Sequence, residues 1–183
     1  MMSGILLHRL NITMSAKRAK VLLLGLGNDI LTDDGVGLHI VREIRNRLNG
    51  RDDIDVIDTC EMGLSLLDMI VDYTDLVLVD AVQTRQSPPG TIQEITLGDM
   101  KILPLMAPHF FGIGEIMAMG RQLGMNVPVR VRIFAVEAGD PFTVNTRMTP
   151  PLELAMPHLV QTVMDAVLAT AEPVAASNAM QET

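Results

Sequence analysis

From Lys20 to Val167, apolar runs of strand length alternate with segments whose apolar residues recur at helical spacing. Such alternation admits few architectures, because each helix must cover a face of the sheet that the strands build. The run Lys20 to Leu26 suits a strand buried on both faces. Val36, Ile40, Ile44 and Leu48 then repeat every four residues with Val41 beside them, while Arg42, Glu43 and Arg45 occupy the opposite side, which predicts an amphipathic helix. A second strand is expected over Ile54 to Thr59, a short helix over Gly63 to Val71 and a third strand over Leu76 to Ala81. Pro88-Pro89-Gly90 marks a turn, and Thr91 to Leu97 alternates as a more exposed strand would. A helix over Gly112 to Leu123 and a fifth strand over Val129 to Val136 follow. Leu152, Ala155, Leu159, Val163 and Val167 predict a long last helix, entered through Thr149-Pro150-Pro151 with proline in its first turn. The expected fold is an α/β three-layer sandwich, a mostly parallel central sheet flanked by helices.

The chain of 183 residues is long enough for one domain with a sizeable core, and its 48% hydrophobic content excludes a disordered chain. We expect that domain over residues 20–171, with a flexible extension at 1–19 and a flexible tail at 172–183. A net charge of −8 argues against nucleic acid as partner, since neutralising phosphates takes clustered Lys and Arg. No apolar run approaches the roughly 20 residues that span a bilayer, and MMSGILLHRL is too short in apolar residues for a signal peptide. A cytoplasmic monomer without membrane contact is therefore expected. The lone Cys60 agrees, as it permits no internal disulfide.

Three residues stand out chemically. Asp34 lies in the glycine-punctuated stretch GLGNDILTDDGVG (25–37), directly after the first strand. Asp80 closes the apolar run Leu76-Val77-Leu78-Val79, where a carboxylate risks burial and needs a partner or a metal. His109 follows Pro108 ahead of a helical stretch. In open α/β sheets ligands bind beyond the carboxyl ends of the strands, at a topological switch point, so Asp34 and Asp80 should face one crevice. Two carboxylates and an imidazole can hold a divalent ion, although donor type alone does not select the metal. Asp33 and Asp34 could equally cap the helix that starts near Val36.

Other chemistries find less support. The stretch from Gly25 fails as a dinucleotide fingerprint, because Ile30 stands where the third glycine belongs. Ser65 and Ser87 lack a G-x-S-x-G setting, and Cys60 has no His near it in sequence. His39 and His158 read as ordinary helix residues.

The order and spacing of GLGNDILTDDGVG, LVLVDAVQTRQSPPG, APHFFGIGEIM and TPPLELAMPHLV resemble the nickel-iron hydrogenase maturation endopeptidases, over about Val21 to Val167. Those enzymes trim the C-terminus of a hydrogenase large subunit. The resemblance implies a nickel site made of Asp34, Asp80 and His109, with Asp34 and Asp80 as the catalytic candidates. It further implies that the large-subunit precursor is the partner and brings the nickel with it. The three side chains would then test whether metal insertion is complete before the extension is cut. Hydrolysis by a metal-activated water and by a carboxylate general base both remain open. Two departures from the family pattern stand near the expected cleft. Thr59-Cys60-Glu61 replaces a Gly-Gly-Thr-like segment, and Ala107 replaces a common Ser, removing a hydroxyl from around the site. A non-proteolytic module that checks or escorts a nickel-loaded precursor would use the same ligands.

Overall fold

A computed structural model describes residues 21–48, 50–95 and 112–172. Nine elements follow one another: β1 (Val21–Leu26), α1 (Val36–Arg47), β2 (Ile54–Thr59), α2 (Ser65–Ile70), β3 (Asp75–Val82), β4 (Ile92–Ile95), α3 (Ile113–Gln122), β5 (Arg130–Glu137) and α4 (Pro150–Ala171). The strands form one sheet in the order β2-β1-β3-β5-β4. All pairs are parallel except β4 with β5. The antiparallel β4 closes one edge, and its half-exposed residues explain why it alternates in sequence while β1 and β3 do not.

Every residue of β1 and of β3 is buried. Their side chains alternate between two cores. Val21 and Leu23 of β1 and Val77, Val79 and Ala81 of β3 meet α1 and α4, through Val36, Ile40, Ile44, Leu159 and Val163. Leu22, Leu24 and Leu26, with Leu76, Leu78 and Val82, meet α2 and α3 through Leu66, Ile70, Ile113 and Met117. Three layers result, as expected. The element bounds shift by a residue or two, chiefly at α2, which is shorter than its pattern. The expected extension at 1–19, the tail beyond Glu172 and the last residues of the fourth predicted strand lie outside the described residues.

The longest described helix is α4. At 22 residues and a mean hydropathy of 1.2 it is long and apolar enough to cross a membrane. Here Leu152, Leu159, Val160, Val163, Ala166 and Val167 instead cover the sheet beside α1. Pro150 and Pro151 occupy its first turn, where their missing N–H groups cost nothing.

The sequence-adjacent strands β1 and β2 lie on one side of the first crossover and β3 on the other, so the switch point falls between β1 and β3. α1 presses its first turn onto that point. A Cβ at Gly37 would sit 2.4 Å from the Leu26 carbonyl oxygen and 2.6 Å from that of Val79, and one at Gly25 would lie 2.6 Å from the Gly37 oxygen. Only glycine permits this approach. Gly37→Ala should therefore destabilise the fold by about 2–3 kcal/mol, outweighing the roughly 1 kcal/mol that Ala gains over Gly inside a helix. Urea unfolding checks this, and an unchanged midpoint would show that helix and strands can move apart.

Candidate functional site at the carboxyl edge of the sheet

Gly25 pairs with Val79, so the chain leaves β1 beside the point where β3 reaches Asp80. Asp80 is fully buried and sits in line with Leu78 and Val82, on the face covered by α2 and α3. Its Oδ1 accepts the Ala81 N–H at 2.8 Å. Across the sheet it pairs with Ala135 of β5. A solvent-open hollow on this side is lined by Val82, Thr84, Ser87, Gln93 and Ala135, among others.

Asp34 is also buried, with 8% of its surface exposed. The loop that carries it folds back on itself. A Cβ at Gly27 (φ 144°) would lie 2.1 Å from the Asp34 carbonyl oxygen. The space over the glycines is thus filled by the loop's own backbone, which leaves no cradle there for a phosphate. His109 and Ala107 lie outside the described residues. In sequence His109 stands four positions before Ile113, whose helix covers the same face as Asp80. Among the described residues alone, no group of three His, Cys, Asp or Glu side chains could hold a metal ion.

The capping expectation for Asp33 and Asp34 is not met. Gly35 is the N-cap of α1, without a side-chain cap. Asp33 has another task. It is completely buried, and its Oδ2 accepts from the Gly139 N–H (2.9 Å), the Asp140 N–H (2.8 Å) and the Thr149 hydroxyl (2.9 Å), while Oδ1 accepts from the Thr149 N–H at 2.7 Å. One carboxylate thereby ties the β1 loop to the β5 loop and to the residue that opens α4, where the helix dipole favours negative charge. Backbone pairing completes the seam: Thr32 N–H donates to the Thr143 oxygen at 3.0 Å, Asn145 N–H to the Ile30 oxygen at 3.1 Å, and Leu31 bridges Val144. Since β3 lies between β1 and β5, these joined loops span its carboxyl end.

Glu137 does the same work for the loop after β3. It is buried at the end of β5, and its carboxylate accepts from the Thr84 N–H (2.8 Å), the Thr84 hydroxyl (2.6 Å) and the Arg85 N–H (2.6 Å). These bonds hold Arg85 in a left-handed conformation (φ 59°) that a non-glycine residue seldom adopts. Sequence reasoning missed Glu137, yet the signal was present. It closes the apolar run Ile133 to Val136 just as Asp80 closes its own.

A charged clamp holds the other flank. Arg42 of α1 donates to Asp58 at the end of β2 (2.6 Å) and to Asp29 of the β1 loop (3.0 Å), and Arg45 donates to Asp58 as well (2.5 Å). Burial alone would raise the Asp58 carboxyl, but the bonds from Arg45 and Arg42 together outweigh it and hold it below the ordinary carboxylate range. Nearby, burial first and the charge of Arg42 second lower the pKa of His39, which stays half-buried on α1. His158 is exposed on α4, so both fit the reading as ordinary helix residues. Thr59 pairs with Leu26, which sets the departing segment Thr59-Cys60-Glu61 beside the β1 loop, with Cys60 exposed.

Fold and site together define a doubly wound α/β protein with buried acids on the strand ends and loops of its carboxyl edge. The family model described as HycI, hydrogenase maturation protease, matches residues 38–166. That span exceeds half of the chain and includes Asp80 and His109, while Asp34 stands just before it. The chain belongs to the hydrogenase maturation protease family. It is 26% identical over 159 residues to the hydrogenase 2 maturation protease of Escherichia coli K12, covering 81% of this chain and 95% of that one. It is 27% identical over 157 residues to the hydrogenase expression/formation protein HupD of Thiocapsa roseopersicina, covering 78% and 68%. Among solved structures, the hydrogenase maturating endopeptidase HybD from E. coli superposes with a TM-score of 0.72 at 24% identity, over 82% of this chain and 93% of that one. The maturation protease HybD from Thermococcus kodakarensis gives 0.62 at 20% identity, over 84% and 99%. At these identities the superpositions speak for the fold.

Two outcomes are expected from the frame around the site. Asp33→Ala removes the buried acceptor of N–H groups from three residues and should lower stability by about 2–4 kcal/mol, read by urea unfolding; a loss under 1 kcal/mol would mean water or another acceptor replaces the carboxylate. For Asp58, a pKa lowered by folding means stability that is full above the ordinary Asp value and is lost as pH falls through the folded one. The gap in unfolding midpoint between wild type and Asp58→Asn should therefore be largest near pH 6 and shrink below about pH 3.9. A gap that stays constant down to pH 2 would remove Arg42 and Arg45 as the cause.

Proposed function

We infer that the protein is the endopeptidase that removes the C-terminal extension from a nickel-loaded hydrogenase large-subunit precursor, in the cytoplasm and as a monomer. The observation that carries this reading is the burial of two carboxylates, Asp34 in the loop that follows β1 and Asp80 near the end of the adjacent β3, in a member of the hydrogenase maturation protease family. Loops at that edge of an α/β sheet are where such folds do chemistry. Placing an ionised carboxylate at the end of an apolar strand is costly, and a cationic ligand offsets that cost.

In this reading Asp34, Asp80 and His109 face the nickel that the precursor carries. Oxygen and imidazole nitrogen donors suit nickel. Three side chains leave further ligand positions to the precursor itself, so the metal belongs to the substrate and its presence is what the enzyme tests. Asp34 and Asp80 are also the acid–base candidates for hydrolysis, as carboxylates shielded from bulk water. The escort alternative shares these ligands and differs only in the absence of cutting.

Purified protein incubated with nickel-loaded and nickel-free precursor should shorten only the loaded form, once, as read by intact mass. Equal cleavage of both forms would exclude metal checking, and cleavage of neither would favour the escort module. Asp34→Ala, Asp80→Asn and His109→Ala should each reduce processing by at least about 100-fold. Because Asp34 and Asp80 are buried, circular dichroism must show those variants folded. Cys60→Ser should retain processing, and its complete loss in a folded variant would indicate a thiol mechanism instead.

A further inference from the structure

The sheet ends in two edge strands, and β2 is the longer, with six residues against four in β4. An edge presents N–H and C=O groups that can pair with a further strand, a hazard that proteins counter with charged side chains. The pairing register decides which groups β2 turns outward. The Val21 N–H donates to the Asp53 oxygen at 3.3 Å, and Val21 stands level with Ile54. Bonding residues alternate along a parallel ladder. Asp55, Ile57 and Thr59 therefore bond toward β1, while Ile54, Val56 and Asp58 turn their backbone groups away from it.

Arg45 of α1 sits on the middle of that edge. Its Nη2 donates to the Val56 carbonyl oxygen at 3.0 Å and to Asp58 Oδ1 at 2.5 Å. Arg42 donates to the other oxygen of the same carboxylate at 2.6 Å, so Asp58 is held in place and in turn holds Arg45. Among the described residues, Arg45 is the only side chain bonded to an outward backbone group of β2.

The middle position matters for a symmetric reason. Two copies joining their β2 edges antiparallel about a two-fold axis would set Ile54 against Asp58, Val56 against Val56 and Asp58 against Ile54, each pair exchanging two bonds. All three outward residues are matched in that register, and Val56 lies on the axis. A guanidinium on the Val56 oxygen occupies the acceptor of the central pair. The axis would also bring the Arg45 cations of both copies together, and like charges oppose the approach.

We propose that Arg45 guards the β2 edge: by covering the Val56 carbonyl it keeps the edges of two copies from joining, and so keeps the chain a monomer. This rests on the monomeric state proposed above and supplies a cause for it. The excluded partner is a second copy, because the two-fold register matches this edge with itself over its full set of outward groups.

The test is sedimentation equilibrium of wild type, Arg45→Ala and Arg42→Ala up to about 1 mM chain, so that even weak pairing is caught. Arg45 is partly exposed and lies outside both cores, so its variant is expected to fold, which circular dichroism checks. Arg45→Ala should reach the mass of two chains. Wild type and Arg42→Ala, which keeps the guanidinium on Val56, should stay at one. In the Arg45→Ala dimer the outward Val56 amide should exchange hydrogen at least about tenfold more slowly than in wild type. Adding Val56→Pro removes that N–H at an edge position, where proline is tolerated, and should restore the mass of one chain. Arg45→Ala that stays at one chain over the whole range would overturn the proposal. So would a dimer of that variant whose Val56 amide exchanges as in wild type. A wild-type dimer with a freely exchanging Val56 amide defeats the monomer reading alone, since Arg45→Ala still decides the guard. A wild-type dimer with that amide protected defeats both.

Discussion

The close contact between the first turn of α1 and the ends of β1 and β3 governs everything at this edge of the molecule. Gly37 lies against two carbonyl oxygens and Gly25 against Gly37, at separations no side chain could share. The helix start is thereby set at the switch point of the sheet, and the loop between β1 and α1 has to arch over the strand ends. That arch carries Asp33 and Asp34. Enlarging either glycine would lift the arch away from β3, and with it the relation between Asp34 and Asp80.

Acidic residues at this edge divide into two kinds by what meets them. Asp33 and Glu137 are buried among backbone N–H groups and hydroxyls, so their charge is used to hold three loops in one arrangement. Asp34, in the loop after β1, and Asp80, near the end of β3, are buried as well, and Asp80 accepts the N–H of the residue that follows it. A sheet offers only carboxyl ends and the loops that leave them, so a rigid site there requires that the loops be fastened to one another. Two buried carboxylates supply the fastening, and the Arg42–Asp29–Asp58 clamp supplies it on the flank where solvent reaches.

Fold alone does not choose a substrate. Cys60 and Glu61, just beyond β2, and the exposed side chains of Ile30, Phe142 and Val144 lie outside the packed cores.

Sequence by itself determined the layers of this protein. Unbroken apolar runs at β1 and β3 and four-residue periods at α1 and α4 follow from burial on two faces or on one, and those are local properties of side chains. It also singled out Asp34, in a glycine-punctuated loop after an apolar strand, and Asp80, since a carboxylate closing an apolar strand is visible without coordinates. Only the tertiary structure decided what neighbouring acids do. Asp33 looked like a helix cap, yet its donors come from residues 139, 140 and 149, more than a hundred positions away. Glu137 serves Thr84 and Arg85 across a strand pairing. Periodicity reports which face a residue occupies, whereas a hydrogen-bond partner depends on which loops the sheet order brings together, and that order is not written in any local pattern.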